Sequence, residues 1–166
     1  MKSSYLTAII LIISLPILYS IYVKSIEINR PSISSIVTNQ NGNHILFFCL
    51  MLVLSIIVIE YEKIRNDKLS YYSLYFISMC VLLFCFFHPS YACHKSYAAL
   101  AFFAIICFML IHLKKSNILT YIFILELLTS VYLFYVFPKV FAGQIVFLSL
   151  FMTYFIYLHF IDNSND

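Results

Sequence analysis

The stretch LSYYSLYFISMCVLLFCFF (residues 69–87), then HPSYACHK (88–95) and SYAALAFFAIICFMLIHL (96–113), decides the fold. Each apolar run is close to the ~20 residues that a helix needs to cross bilayer hydrocarbon. Neither run alternates apolar with polar residues, as a transmembrane strand of about 10 residues would. In lipid every backbone N–H and C=O must find a partner within the chain, so helix is the remaining choice.

The same kind of run recurs outward in both directions, at residues 5–23, 44–60, 118–137 and 140–161. The expectation is an all-α membrane protein, a single six-helix transmembrane bundle over residues 1–166. Pro16 predicts a kink in the first segment, which neighbouring helices must accommodate. That segment is longer than the ~7–15 residues of a signal-peptide core, and no small-residue cleavage site follows it, so it reads as a helix. Composition agrees. The chain is 63% hydrophobic and only 10% charged, against roughly 25% charged in soluble domains, and its mean hydropathy is +0.97. So short a chain has too little polar material to cover that much apolar surface in water.

The net charge of +3 is spread along the chain without a basic cluster, so no nucleic-acid partner is expected. The charges read as topology instead. Lys2, Lys63, Arg65, Lys68, Lys114 and Lys115 fall on one side of the expected membrane, and Lys24, Arg30, Lys95 and Lys139 on the other. Positive charge prefers the cytosol, which places both termini there. The polar interval around Pro31-Ser32-Ile33-Ser34-Ser35 then faces the lumen or the exterior, with the loop at 88–95.

Few residues suggest chemistry. The cysteines form no C-x-x-C pair. Four of them sit in apolar runs as small core residues, and Cys93 falls in the expected loop. There are only two glycines, so a phosphate-cradling loop is effectively excluded, and no familiar hydrolase or nucleotide motif occurs. No cofactor is expected. His44, His88 and His94 fall on the non-cytosolic side, where three imidazoles could hold zinc with a position left for water. They could equally be interfacial histidines that reach water. His112 and His159 end the fourth and sixth segments on the cytosolic side, and with His44 and His88 they invite a bis-histidine haem pairing. Glu126 is the one acid within an apolar run. Such an acid is a functional hypothesis by default, or else a protonated group bonded to a neighbouring hydroxyl.

These landmarks resemble the Frag/DRAM/Sfk membrane family, which includes the lipid-remodelling factor for GPI anchors and the damage-regulated autophagy modulators. The matching residues are Pro31-Ser32-Ile33-Ser34-Ser35 in the first non-cytosolic loop and His94 in CHKSYAALAFFAIICF (residues 93–108). They also include Ala142-Gly143 entering the last segment, and His159 resembles the family's histidine near the end of that segment with an offset of about one turn. The remodelling branch carries a Glu in its last helix, where this chain has Leu150, Phe151 and Met152.

The resemblance implies about six helices, cytosolic termini and residence in the Golgi or endoplasmic reticulum. It also implies support of GPI-anchor lipid remodelling by binding a membrane lipid or anchor precursor at the luminal face. Arg30, Pro31, Ser32, Ser34, Ser35, Lys95 and Glu126 would line the headgroup site, with His94 as a general base if acyl transfer occurs. The alternatives are a non-catalytic autophagy-modulator-like or lipid-scaffold protein, and a metal-dependent lipid hydrolase using His44, His88 and His94. No protein partner can be named.

Overall fold

The structure is a computed structural model that describes residues 9, 12, 43–65, 67–87, 91–136 and 140–164. Apart from the helical positions Ile9 and Ile12, the expected first segment lies outside the described residues. So does the stretch from Arg30 to Ser35.

The described chain is almost entirely helical and contains no strand. It runs α1 (Asn43–Arg65), α2 (Lys68–Phe86), α3 (Ala92–His112), a single 3-10 turn (Leu113–Lys115), α4 (Asn117–Val136) and α5 (Val140–Ser164). Short links make successive helices antiparallel neighbours. The closest packings are α1 on α2, α2 on α3 and α4 on α5, with α3 also touching α4 and α5. Two helical stretches, Lys68–Phe86 and Ala92–Lys115, are long and apolar enough to cross a membrane.

The sequence explains where most helices begin. Asp67 caps α2: its side chain accepts the Ser70 N–H at 3.2 Å, and its carbonyl accepts the Tyr71 N–H at 2.9 Å. Such a cap stabilises a helix by about 1 kcal/mol. Ser116 does the same for α4, where its hydroxyl oxygen accepts the Ile118 N–H at 3.2 Å.

Two boundaries depart from expectation. Helix α1 runs on to Arg65 instead of stopping near residue 60. The charged run there keeps helical period. Tyr61 and Glu62 turn inward, while Glu60 and Lys63 remain exposed and pair at 3.8 Å. Helix α3 starts at Ala92, so His94, Lys95 and Cys93 belong to its first turn and not to a loop. The ring of His94 fixes that start, as described below.

The core is built from Phe108, Met109, Leu119, Tyr154 and Leu158, all fully buried. The Tyr154 hydroxyl donates to the Met109 carbonyl at 2.7 Å and ties α5 to α3. The distribution of polarity is inverted relative to a soluble protein. Ser55, Glu62, Ser70, His94, His112, Glu126 and His159 are buried, while Phe76, Phe86, Phe103, Tyr121, Leu128 and Val131 are exposed. Helices this apolar on every side either lie in a large protein core or meet lipid.

Candidate functional site

One end of the bundle gathers Lys63, Lys68, Lys114 and Lys115 at the end of α1, the start of α2 and the turn after α3. Beneath these charges lie two histidines held in the same way. The His112 Nδ1–H donates to the Phe108 carbonyl at 2.8 Å, and the His159 Nδ1–H donates to the Phe155 carbonyl at 2.6 Å. Each ring leans on the phenylalanine one turn back, with centroids 4.6 Å apart for Phe108 and 4.0 Å for Phe155. Tyr61 covers the other side of His159 at 4.8 Å.

With Nδ1 committed as a donor, each Nε2 reaches a partner on another helix. His159 Nε2 lies 2.6 Å from Glu62 Oε1 and links α5 to α1. A single proton between these two atoms satisfies both, as imidazolium with carboxylate or as imidazole with carboxylic acid. His112 Nε2 lies 2.6 Å from the Ser70 hydroxyl, which in turn lies 2.9 Å from Asp67 Oδ2. Ser70 has one proton and two acceptors to serve if His112 is neutral. If His112 carries both ring protons, Nε2–H donates to Ser70 and Ser70 donates to Asp67. A proton on Asp67 that is donated to Ser70, with Ser70 donating to neutral His112, satisfies the same contacts in the reverse direction.

Lys115 Nζ stands 3.9 Å from Asp67 Oδ2, at the half-exposed edge of the cluster. Partial burial raises the Asp67 carboxyl. The Ser70 N–H and hydroxyl, with the charges of Lys115 and His112, outweigh burial and hold the group below its ordinary 3.8. Ser70 is fully buried and bonded on both sides, so its hydroxyl has no room for a substrate. The cluster fastens α5 to α1 and α3 to the start of α2. Among the described residues, no three His, Cys, Asp or Glu side chains lie together as a metal site.

At the opposite end, His94 is buried in the first turn of α3. Its Nδ1–H donates to the Phe87 carbonyl at 2.9 Å, and its ring packs on Phe84 at 4.3 Å. It thereby closes the α2–α3 turn. Phe87 stacks on Tyr97 at 5.6 Å, which reinforces the same turn. The Nε2 lone pair of His94 is buried without a hydrogen-bond partner. Lys95 beside it is exposed. His88 lies outside the described residues, and His44 is placed only as a backbone position in the first turn of α1.

Glu126 sits midway along α4, fully buried. Nine residues separate it from the start of α4 and His94 lies at the far end of α3. At 1.5 Å per residue this leaves roughly 13 Å of depth between them. His94 and Lys95 therefore share one end of the bundle, while Glu126 lies near its middle.

Between α1, α2 and α5 lies an apolar cleft of ≈ 130 Å³. Met51, Leu54, Val58, Ile77 and Phe151 contribute to its walls, and among the described residues Ser55 and Ser78 are the only polar side chains there. Val58 and Phe155 at its margin stand one turn before Glu62 and His159, so the cleft ends beneath that pair.

Sequence reasoning missed Glu62, Ser70 and Asp67 because they fall in or beside a charged stretch that reads as a loop. One signal was present: Phe-x-x-x-His closes both the fourth and the sixth segments, as Phe108–His112 and Phe155–His159. No protein-family model, curated protein or solved structure matches this chain.

Proposed function

We propose that the chain is a multi-pass membrane protein that binds the hydrocarbon tail of a lipid in the cleft between α1, α2 and α5. The observation that carries this reading is the inverted polarity of the bundle. Large apolar side chains such as Phe76, Phe103 and Leu128 face outward while glutamates and histidines face inward. In water that surface would aggregate, whereas in lipid it is solvated. Each end also has its own character. The lysine-rich end suits the cytosolic side, and His94 and Lys95 then face the lumen or exterior. A cleft of ≈ 130 Å³ with almost wholly apolar walls suits part of an acyl chain and offers little to a polar ligand.

Within this reading the lipid is a GPI-anchor precursor or a related membrane lipid, handled in the Golgi or endoplasmic reticulum. That identity rests on the resemblance of Pro31–Ser35, His94 and Ala142-Gly143 to the remodelling family. A binding role is favoured over acyl transfer by the surroundings of His94. Its Nδ1 closes a helix turn, and no described hydroxyl or thiol lies within hydrogen-bond reach of its Nε2.

Two experiments test the reading. Single cysteines at positions 95 and 114, probed with a membrane-impermeant maleimide in sealed vesicles, should label from opposite sides. Labelling from the same side rejects the arrangement. Expression in cells lacking the GPI-remodelling factor should restore surface GPI-anchored protein and its lipid composition, with His94→Ala nearly silent. No restoration rejects the GPI assignment and leaves the membrane reading to the first test.

A further inference from the structure

Both carboxylate oxygens of Glu126 and the hydroxyl of Ser130 are buried without a hydrogen-bond partner. The two residues stand one turn apart on α4, so they share a face with Cβ atoms about 5–6 Å apart. They do not bond to each other. Nearby groups that could have answered them are engaged elsewhere. Tyr154 lies within electrostatic range of Glu126, yet its hydroxyl donates to the Met109 carbonyl at 2.7 Å. The Thr129 hydroxyl turns back onto the carbonyls of Leu125 and Glu126, at 2.7 and 3.2 Å.

We propose that Glu126 and Ser130 form a binding niche for a primary ammonium group carried on an apolar chain. Charge and hydrogen-bond capacity together select this class. The niche presents three oxygen atoms that can accept, and the Ser130 hydroxyl keeps a proton that it can give to Glu126; an ammonium brings three N–H donors with no acceptor of its own. It also brings the positive charge that lets a buried glutamate ionise. Water or an alcohol can share hydrogen bonds with these atoms but brings no positive charge to hold Glu126 as a carboxylate. A quaternary ammonium brings charge without donors. An alkali or divalent cation needs about six or more oxygen ligands, twice what the niche presents. The tail has a matching surface, because Leu125 and Leu128 are exposed on α4 beside Glu126. The niche is separate from the cleft between α1, α2 and α5, and its test does not depend on that cleft being occupied.

The test is equilibrium binding of radiolabelled dodecylamine to the purified full chain in non-ionic micelles. Background partition is measured with Glu126→Gln, a substitution of the same size. The wild-type chain should show a saturable component that is absent from Glu126→Gln. Ser130→Ala should weaken it roughly tenfold, the loss of one hydrogen bond to a charged group. Unlabelled dodecylamine should compete, while dodecyltrimethylammonium and dodecanol should compete at least tenfold less well. Circular dichroism and elution volume establish that each variant is folded. If Glu126→Gln fails to fold, Ser130→Ala and the competitors decide. The proposal is overturned by the absence of saturable binding, by equal binding to folded Glu126→Gln, by an unaffected Ser130→Ala, or by equal competition from the quaternary amine.

Discussion

The lysine-rich end of the bundle and the middle of α4 both bury carboxylates, but they treat them in opposite ways. Glu62 meets His159 at 2.6 Å under a lid of aromatic rings, and Asp67 meets Ser70 at 2.9 Å in a chain that reaches His112. Glu126 meets no described hydrogen-bond donor at all. A polar group that is paired across helices holds the bundle in one arrangement. A polar group left waiting inside an apolar bundle costs stability and points to a guest. Burial alone therefore does not tell these acids apart, whereas the state of their hydrogen bonds does.

Removing one partner at the lysine-rich end should break this contrast most severely. His159→Ala leaves Glu62 without its cross-helix partner and should cost about 3–5 kcal/mol, read as a lower unfolding midpoint in micelles. The double substitution Glu62→Leu with His159→Leu should recover much of that loss, because it removes the buried polar pair together. Recovery would show that the penalty comes from the orphaned partner.

Next in size is Ser70→Ala, which cuts the chain between Asp67 and His112. It should cost about 1–3 kcal/mol, with hydrogen exchange rising at the start of α2 and the end of α3. An unchanged midpoint would mean that Ser70 serves only its own helix.

Asp67→Asn sharpens the comparison through pH. The folded state holds the Asp67 carboxyl below its unfolded value of 3.8. Its contribution to stability is therefore full above that value and is lost as pH falls through the folded value. Asn retains the helix cap but cannot titrate. The wild-type chain should lose stability between about pH 5 and the folded value more steeply than Asp67→Asn does. Parallel curves would remove Asp67 from the acid response.

Glu126→Gln should give the smallest effect, an unfolding midpoint equal to or above that of the wild type. It replaces a buried acid that no described group answers. A large loss of stability on this substitution would erase the distinction between the two regions.

Much of the helical layout was legible because long, non-alternating apolar runs leave lipid-compatible chains few options. Helices α2, α4 and α5 start within a residue of the positions that hydropathy indicates. Hydropathy failed at the ends of α1 and α3 because polarity there follows helical period and not loop character. Glu62 is charged yet faces inward, and His94 is polar yet buried against Phe84. Glu126 stood out from sequence since it interrupts an apolar run. Ser130 did not, because a serine in a membrane helix is ordinary until its hydroxyl is seen without a partner. The pairing of Glu62 with His159 joins residues 97 positions apart, and no local pattern reports a contact of that span.

That span also bears on biogenesis. Glu62 enters the nascent chain with α1, and its counterpart on α5 arrives 97 residues later. Until α5 has been made, the acid on α1 must stay hydrated or be sheltered by an insertion factor. Any product cut short before residue 159 would lack this pairing between α1 and α5, a defect open to membrane quality control.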